Sequence, residues 1–542
     1  MMTRFAEYDR AGPAATSARH ATFFLLFWLV LFRATVSDAA ETARSEQQSA
    51  TPESIKSTIA ELEKLSQQTL DKTGVPGLAV AVVYDDKVVE LKGFGVRQIG
   101  RPESIDADTV FQIASVSKAV TSTVLARLVS EGTIQWDDRV IDHDPEFQMS
   151  DPWVTRQLTL RDLLCHRSGL PDHAGDLLED LGYDRAEVLY RLRYLDCGNN
   201  FRSHYAYTNF GYSEAALAAA HAVGKPWEEL AAEKLYRPLG MMATSSRYQD
   251  YAAAKNHAAL HARINGKWQA KYVRQPDAQS PAGGVSSTVR DLAQWMRLQL
   301  ADGKFDGKQL ISAEALGETH RPQIINRRPD NPDIDRAGMY GFGWNISYDD
   351  HGRIHLIHSG GFELGAATVV HLVPSEKLGI VALTNASPIG VPEAIASTFC
   401  DLAIDGKVQR DWFELYRKGF EALSKANDGT GVDDHRPPAK ALPAAPNAAY
   451  VGKYSNRYFG EIEVVEKDGK LQLRMGPKKV LYPMEHWDRD VFIYQPTGEM
   501  AAGLSGVTFT IGPSQTATLV LIENLNVYGQ GTFISAATDK QK

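Results

Sequence analysis

Cysteine is scarce in this chain, with three in 542 residues. Cys165, Cys197 and Cys400 are odd in number and widely separated, which excludes both a disulfide framework and the paired-thiol spacing of a zinc site. Buried thiols are the expectation, a single bridge the alternative. Positive charge is also in deficit. A formal net charge of −9 with no basic stripe argues against an electrostatic nucleic-acid binder. No Gly-x-Ser-x-Gly elbow, no His-Glu-x-x-His pair and no phosphate-binding glycine loop is present, so those catalytic schemes are closed and no cofactor is called for. There is no internal repeat.

Long apolar runs are missing too. The run over residues 23–32 falls short of the roughly 20 residues that span a bilayer and has the length of a secretory h-region. Arg4, Arg10 and Arg19 precede it and Ser37-Asp-Ala-Ala40 follows. Residues 1–40 therefore read as a signal peptide cut after Ala39 or Ala40, with a flexible leader over 41–52. An uncleaved anchor is the alternative, because Glu7 and Asp9 dilute the positive segment. No cysteine lies nearby, which excludes a lipoprotein anchor. Export to the periplasm or medium follows, with cell wall or membrane as neighbour.

What remains is ordinary soluble composition, 43% hydrophobic and 23% charged, in a chain long enough for two or more domains. Ile55, Ile59, Leu62 and Leu65 recur at helical spacing until Gly74-Val-Pro-Gly77 stops them. Residues 78–84 and 87–91 flank Asp85-Asp86 as a hairpin. A helix starts near Ser115 and ends at Gly132, with Val120, Val124, Leu125 and Leu128 facing a core. Residues 158–299 are mostly helical, whereas 354–357, 367–373 and 378–383 read as strands. Strands at both ends with helices between predict one antiparallel sheet built from distant segments, with a helical insertion packed on one side. A helix over 411–424 leads into a Gly-, Pro- and Ala-rich linker at 425–445. Beyond it the period is two: Ile462 and Val464 alternate with Glu461 and Glu463, Asp468-Gly469 turns the chain, and Leu471 and Leu473 return. Residues 446–542 are expected to form a small all-β barrel or sandwich, and 53–424 the domain before it.

The chemistry rests on three ordered elements: Ser115-x-x-Lys118, Tyr207-x-Asn209 and His358-x-Gly360. A serine hydroxyl needs an adjacent base, and a lysine three positions on lies on the same helical face, one turn away. Lys118 accepts a proton only when neutral, which burial promotes. A helix start at Ser115 also aims free N–H groups at a carbonyl under attack. Tyr207 is suited to relay a proton to a leaving group, and Asn209 to hold a substrate amide from both its donor and acceptor sides. Tyr205 and Tyr212 compete with Tyr207, and the asparagine two positions later selects Tyr207. His358-Ser-Gly360-Gly361 ends a strand; its glycines admit a substrate backbone, its histidine suits a bond to the tyrosine or to a substrate carboxylate, and the Gly361 N–H suits an oxyanion. Lys72-Thr-Gly74 mimics such a third element but precedes Ser115 and sits at a helix stop.

With these residues assembled, the chain resembles the serine β-lactamase and penicillin-binding-protein superfamily, nearest the class C-like hydrolases that include D-aminopeptidases, DD-peptidases and esterases. Further marks are Phe111-Gln-Ile-Ala-Ser-Val-Ser-Lys118, Leu158-Thr-Leu-Arg-Asp-Leu-Leu-Cys-His-Arg-Ser-Gly-Leu-Pro171, Pro281-Ala-Gly-Gly-Val-Ser286 and Tyr340-Gly-Phe-Gly-Trp344. Tyr450-Val-Gly-Lys-Tyr454 and Pro483-Met-Glu-His-Trp487 mark the appended lipocalin-like β domain. The resemblance implies a β-lactamase-like transpeptidase fold. It implies Ser115 as nucleophile, Lys118 as base, Tyr207 as proton shuttle, and Asn209, His358, Gly360 and Gly361 as substrate-binding residues. The N–H groups of Ser115 and Gly361 would then form the oxyanion hole. True β-lactamases usually carry lysine where His358 stands, and histidine there is similar to D-aminopeptidase-like members. His166-Arg-Ser-Gly169 is read as a structural turn.

The function so implied is an exported serine hydrolase of amides or esters, acting on small peptides with D-residues. The alternatives are an esterase or weak β-lactamase, an acyltransferase or peptide cyclase, and a non-catalytic binding protein. Natural substrate and oligomeric state are left open.

Overall fold

The computed structural model describes residues 49–198, 200–329, 331–333, 335–427, 438, 440–501 and 503–536. The expected signal peptide and most of the expected leader and linker lie outside those residues. The first described helix, α1 (Pro52–Thr73), has its start and stop written locally. Thr51 caps it, accepting from Ser54 N at 3.1 Å, and Pro52 opens it. Gly74, left-handed at φ 68°, ends it by donating to Leu70 O at 2.7 Å. Lys72-Thr-Gly74 is therefore part of a helix C-cap.

Strands β1 (Gly77–Tyr84) and β2 (Lys87–Gly95) form the expected hairpin. Asp85 and Asp86 both adopt positive φ (46° and 60°), the two-residue turn that matches strand twist. Six more strands complete the sheet: β3 (Ile324–Arg327), β4 (Gly338–Tyr340), β5 (Asn345–Tyr348), β6 (Ile354–Phe362), β7 (Ala366–Val373) and β8 (Leu378–Thr384). The order is β2-β1-β8-β7-β6-β5-β4-β3, antiparallel throughout. Pairing of β1 with β8, Leu78 opposite Thr384, closes the chain's two distant strand regions into one sheet.

Both sheet faces are covered. Leu78, Val80 and Val82 pack with α1 and with Ile395 and Phe399 of α5 (Val391–Asp405). Ala79, Ala81 and Val83 pack with Val120 and Val124 of α2 (Ser117–Ser130) and Trp295 of α4 (Val289–Leu300). This explains why β1 is a continuous apolar run rather than an alternating one. The helical insertion, including α3 (Asn209–Val223), lies on the second of these faces. Cys165, Cys197 and Cys400 are free and buried. No helix among the described residues is long and apolar enough to cross a membrane.

After α6 (Trp412–Asn427) comes the all-β domain, with strands β9 (Gly452–Asn456), β10 (Gly460–Lys467), β11 (Lys470–Met475), β12 (Val480–Pro483), β13 (Glu485–Asp488), β14 (Val491–Tyr494), β15 (Ser505–Ile511), β16 (Ala517–Ile522) and β17 (Thr532–Ser535). They order as β12-β11-β10-β9-β17-β16-β15-β14-β13. The two edge strands are consecutive in sequence, so the sheet curls into a nearly closed barrel. Ile462, Val464, Leu471 and Leu473 point inward as their alternation predicted, and Tyr450 packs against Phe492 and Phe509. The barrel grips the helical insertion. Gly175 N donates to Tyr458 Oη at 2.9 Å, Tyr183 Oη to Phe459 O at 2.8 Å, and Glu499 N and Met500 N to the Asp180 carboxyl at 2.9 and 2.7 Å.

Candidate active site

Ser115 sits in the middle of a 3₁₀ turn (Ala114–Val116), and α2 begins two residues after it. The sequence pattern predicts the helix itself from near Ser115, and the structure starts it at Ser117. The tighter turn is entered through Ala114, whose φ of 45° is rare for a residue with a side chain. Thr368 Oγ1 donates to Ile113 O at 2.8 Å, and Gly360 of β6 passes directly behind the turn. A Cβ on Gly360 would stand 2.4 Å from Ile113 O and 2.8 Å from Ser115 N. Glycine there is what lets the strand and the serine turn lie against each other.

One turn along, Lys118 is completely buried, and its Nζ has three neighbours: Asn209 Oδ1 at 2.7 Å, Ala282 O at 3.0 Å and Ser115 Oγ at 3.2 Å. Burial pulls its pKa down to about 7, against the opposing charge of Asp176. A neutral amine has two donors and one lone pair. The amide and carbonyl oxygens take the two donors, which leaves the lone pair for the hydroxyl hydrogen of Ser115.

Tyr207 donates to the same Ser115 Oγ at 2.8 Å. Burial raises its pKa well above the ordinary phenol range, so it stays protonated. Tyr212 has its hydroxyl tied to Ser122 and to Lys118 O, and Tyr205 packs tilted against Tyr340 and edge-on to His166. Among the three tyrosines, Tyr207 is the one bonded to the serine. His166, left-handed at φ 60° just after the helix Leu160–Leu164, is more than a turn. Its Nδ1 accepts from Thr208 N at 3.1 Å, and its ring lies against Tyr207 and Tyr340, with centroids 4.6 and 5.0 Å away. It is the wall that holds the Tyr207-x-Asn209 segment in place.

Asn209 departs from expectation. Its oxygen is held by Lys118, and its Nδ2 donates to Asp176 Oδ2 at 2.8 Å. Both sides of the amide are engaged within the protein. Asp176 Oδ2 also meets His173 Nδ1 at 2.7 Å. Burial pulls the His173 pKa down, but the bond to Asp176 and the charges of Asp176 and Asp172 outweigh it and raise the pKa overall. The result is a chain, Lys118–Asn209–Asp176–His173, buried as far as Asp176 and ending on the part-exposed His173. Its last two members were not identified from sequence, although His173-x-x-Asp176 is an (i, i+3) pair that a search for carboxylate–imidazole spacing finds.

His358 is buried in β6, its Nε2 paired with Tyr340 Oη at 3.1 Å and its Nδ1 with Ser359 O at 2.7 Å. It bonds a tyrosine, but Tyr340 rather than Tyr207. Burial and the nearby Lys118 push its pKa down to about 3, so the imidazole is neutral.

A cavity of about 280 Å³ opens in front of Ser115, lined also by Tyr207, Asn209 and the exposed Gly361. Its far wall comes from residues with no sequence signature: Glu179, Asp180, Arg274 and, from the barrel, Glu499. Arg274 Nη2 bonds Glu179 Oε2 at 2.6 Å, and Arg274 Nε lies 3.9 Å from Glu499 Oε2. Burial raises the Asp180 carboxyl to about 7 and the Glu499 carboxyl to about 8. No group of three or more metal-ligating side chains occurs among the described residues.

A family model described as Beta-lactamase matches residues 62–399, and one described as a domain of unknown function matches residues 436–531. Unguisins hydrolase ungD' of Aspergillus campestris is 26% identical over 490 residues, covering 84% of this chain and 87% of its own. Beta-lactamase-like protein 2 of Dictyostelium discoideum is 25% identical over 421 residues, covering 75% of this chain and 72% of its own. The solved structure of the octameric penicillin-binding protein homologue from Pyrococcus abyssi is similar with a TM-score of 0.55 at 21% identity, covering 88% of this chain and 100% of that one. At that identity the likeness is one of fold.

Proposed function

The chain belongs to the beta-lactamase family, and from that premise we propose that it is an exported serine hydrolase that opens amide or ester bonds through an acyl-enzyme on Ser115. The observation that carries this reading is a single oxygen with two opposite neighbours. Ser115 Oγ lies 3.2 Å from the Lys118 amine and 2.8 Å from the Tyr207 hydroxyl.

Lys118 takes the serine proton as Oγ bonds to the substrate carbonyl carbon, and the carbonyl π pair moves onto oxygen. The oxyanion is received by the N–H groups of Ser115 and Gly361, a pairing carried over from the family resemblance. Tyr207 hands its proton to the leaving nitrogen or oxygen as the bond to carbon breaks, and the Lys118 ammonium, 4.4 Å from the Tyr207 ring centroid, restores it. Water then repeats the sequence on the acyl-enzyme, with the roles reversed.

Charge narrows the substrate. Five carboxyl side chains line the cavity (Asp176, Glu179, Asp180, Glu363 and Glu499) against Arg274, already engaged by Glu179 and Glu499, and His173, engaged by Asp176. Burial keeps Asp180 and Glu499 partly protonated near neutrality, so the negative excess is smaller than the five groups suggest. His358 adds no positive charge. A β-lactam carboxylate meets repulsion here, whereas the free amine of a small peptide is attracted. Peptides with D-residues are the class we assign, the configuration resting on the resemblance to D-aminopeptidase-like members.

The test is intact mass after exposure to a serine-reactive fluorophosphonate, with Ser115→Ala in parallel. One adduct on the wild type and none on the variant is expected. No adduct on either overturns the acyl-enzyme reading in favour of a non-catalytic binding role.

A further inference from the structure

A second and larger cavity adjoins the first. It has a volume of about 870 Å³ and runs between the hydrolase and the barrel, with Glu363, Glu499 and Ala501 forming a wall common to both cavities. The space in front of Ser115, about 280 Å³, falls below the roughly 300–1,000 Å³ typical of a site that engulfs a drug-sized ligand, and the neighbour falls inside that range. A substrate longer than the catalytic cavity has an adjoining space to enter.

The groove's chemistry suits a peptide. One side is a single face of α6, with Phe413, Arg417, Phe420 and Glu421 at helical spacing. Ile389 continues the apolar surface, and Val273, 69% exposed, adds an apolar side chain at its edge. The barrel supplies the opposite lining, where Gln495 and Thr497 flank Pro496 and offer hydrogen-bonding groups. Gln495 Nε2 already donates to Pro496 O at 3.2 Å and Gly503 O at 3.0 Å, and Thr497 Oγ1 lies 3.4 Å from Tyr482 Oη. The acceptor Gln495 Oε1 is therefore the group this wall presents to a peptide N–H, which a hydrocarbon chain does not match. Lys72 and Arg263 also line the groove, Lys72 Nζ 5.0 Å from the Phe413 ring centroid and the Arg263 guanidinium 6.0 Å from that of Trp268.

We propose that this groove binds the leaving-group side of an oligopeptide substrate, apolar side chains against Ile389, Phe413 and Phe420 and the C-terminal carboxylate toward Lys72 and Arg263. The inference rests on the acyl-enzyme reading for its direction, because a peptide's carboxylate end lies on the leaving side of the scissile bond. It adds that the enzyme prefers chains of several residues over dipeptides, and that the barrel takes part in choosing them.

The test measures binding rather than turnover, so that its failure is distinct from a failure of Ser115 to acylate. The probes are a D-alanyl dipeptide and a D-alanyl pentapeptide rich in Leu and Phe, titrated into the full-length Ser115→Ala protein. The pentapeptide is expected to bind at least about tenfold more tightly, as burial of one or two apolar side chains requires. Phe420→Ala and the exposed Val273→Glu should each remove about tenfold of that advantage, with dipeptide binding unchanged. C-terminal amidation should weaken the pentapeptide in the wild-type groove but not in Lys72→Gln/Arg263→Gln. Equal affinity for the two peptides, insensitivity to both groove variants, or a decanoyl compound binding as well as the pentapeptide overturns the proposal.

Discussion

The closest partner of the Lys118 amine is Asn209 Oδ1 at 2.7 Å, not Ser115 Oγ at 3.2 Å. Asn209 is therefore the residue that orients the base, and Asp176 orients Asn209 in turn. That chain is why a completely buried lysine can present a lone pair to the serine.

Lys118 is an active base only when deprotonated, and its pKa is pulled down to about 7. The rate of fluorophosphonate labelling should therefore rise with pH through the neutral range and level off above it. Asp176 opposes that lowering, so Asp176→Asn should move the rising limb to lower pH. Stopped-time labelling between pH 5 and 9 reads both effects. A flat profile in the wild type, or an upward shift in the variant, contradicts the assignment of Lys118 as base.

Tyr207→Phe should separate two steps. The variant keeps the Lys118 base but lacks the proton for the leaving group, so amide hydrolysis should fall by about 10²–10⁴-fold. Fluorophosphonate labelling expels fluoride, which needs no such proton, and should fall far less. Equal losses in both assays would make Tyr207 a packing residue for Ser115 and nothing more.

Gly360→Ala tests the contact between β6 and the serine turn. The added methyl would lie 2.4 Å from Ile113 O, and backbone has little room to give. A destabilisation of about 1–3 kcal/mol, typical of overpacking, should appear as a lowered melting temperature, with slower labelling of Ser115. A substitution at Gly100, where a Cβ meets nothing within 4 Å, is the control for position, although its own positive φ of 79° costs something. Wild-type melting and labelling in Gly360→Ala would show that the turn and strand are less tightly coupled than the distances imply.

The parts of the site readable from sequence are those whose geometry is set by short-range spacing. Ser115 and Lys118 meet because they are one helical turn apart, and Tyr207 and Asn209 lie two residues apart where an extended segment enters α3. The apolar alternation of residues 462–473 likewise fixes a hairpin without reference to anything distant. Glu179, Asp180, Arg274 and Glu499 carry no such mark, because they converge only when the barrel docks on the insertion. His358 was legible as a position but not in its pairing. Its orientation toward Tyr340 depends on β4 lying two strands from β6, a tertiary fact. Asn209 was legible as a site residue and lines the cavity, but its bonds to Lys118 and Asp176 were not legible, because those partners reach it only in the folded chain.

The seam between barrel and insertion yields a prediction about stability. Both Asp180 oxygens accept backbone N–H groups from the barrel, Glu499 at 2.9 Å and Met500 at 2.7 Å. Burial nevertheless raises its pKa from 3.8 to about 7. A carboxyl whose pKa is raised in the folded state holds its proton there more tightly than in the unfolded chain, so its contribution is fully present below about pH 4 and is lost as pH rises through about 7. The span corresponds to at most roughly 4 kcal/mol. Asp180→Asn keeps an acceptor for the barrel and removes the ionisation, so its melting temperature should change less between pH 5 and pH 8 than that of the wild type. Glu499, raised in the same direction by burial and opposed by Arg274, gives the wild type a residual slope that Asp180→Asn should retain. Parallel pH profiles for the two proteins would mean that Asp180 stays ionised at the seam, held so by its two N–H donors. A flattened profile would identify this carboxyl as the group through which pH loosens the barrel from the wall of the catalytic cavity.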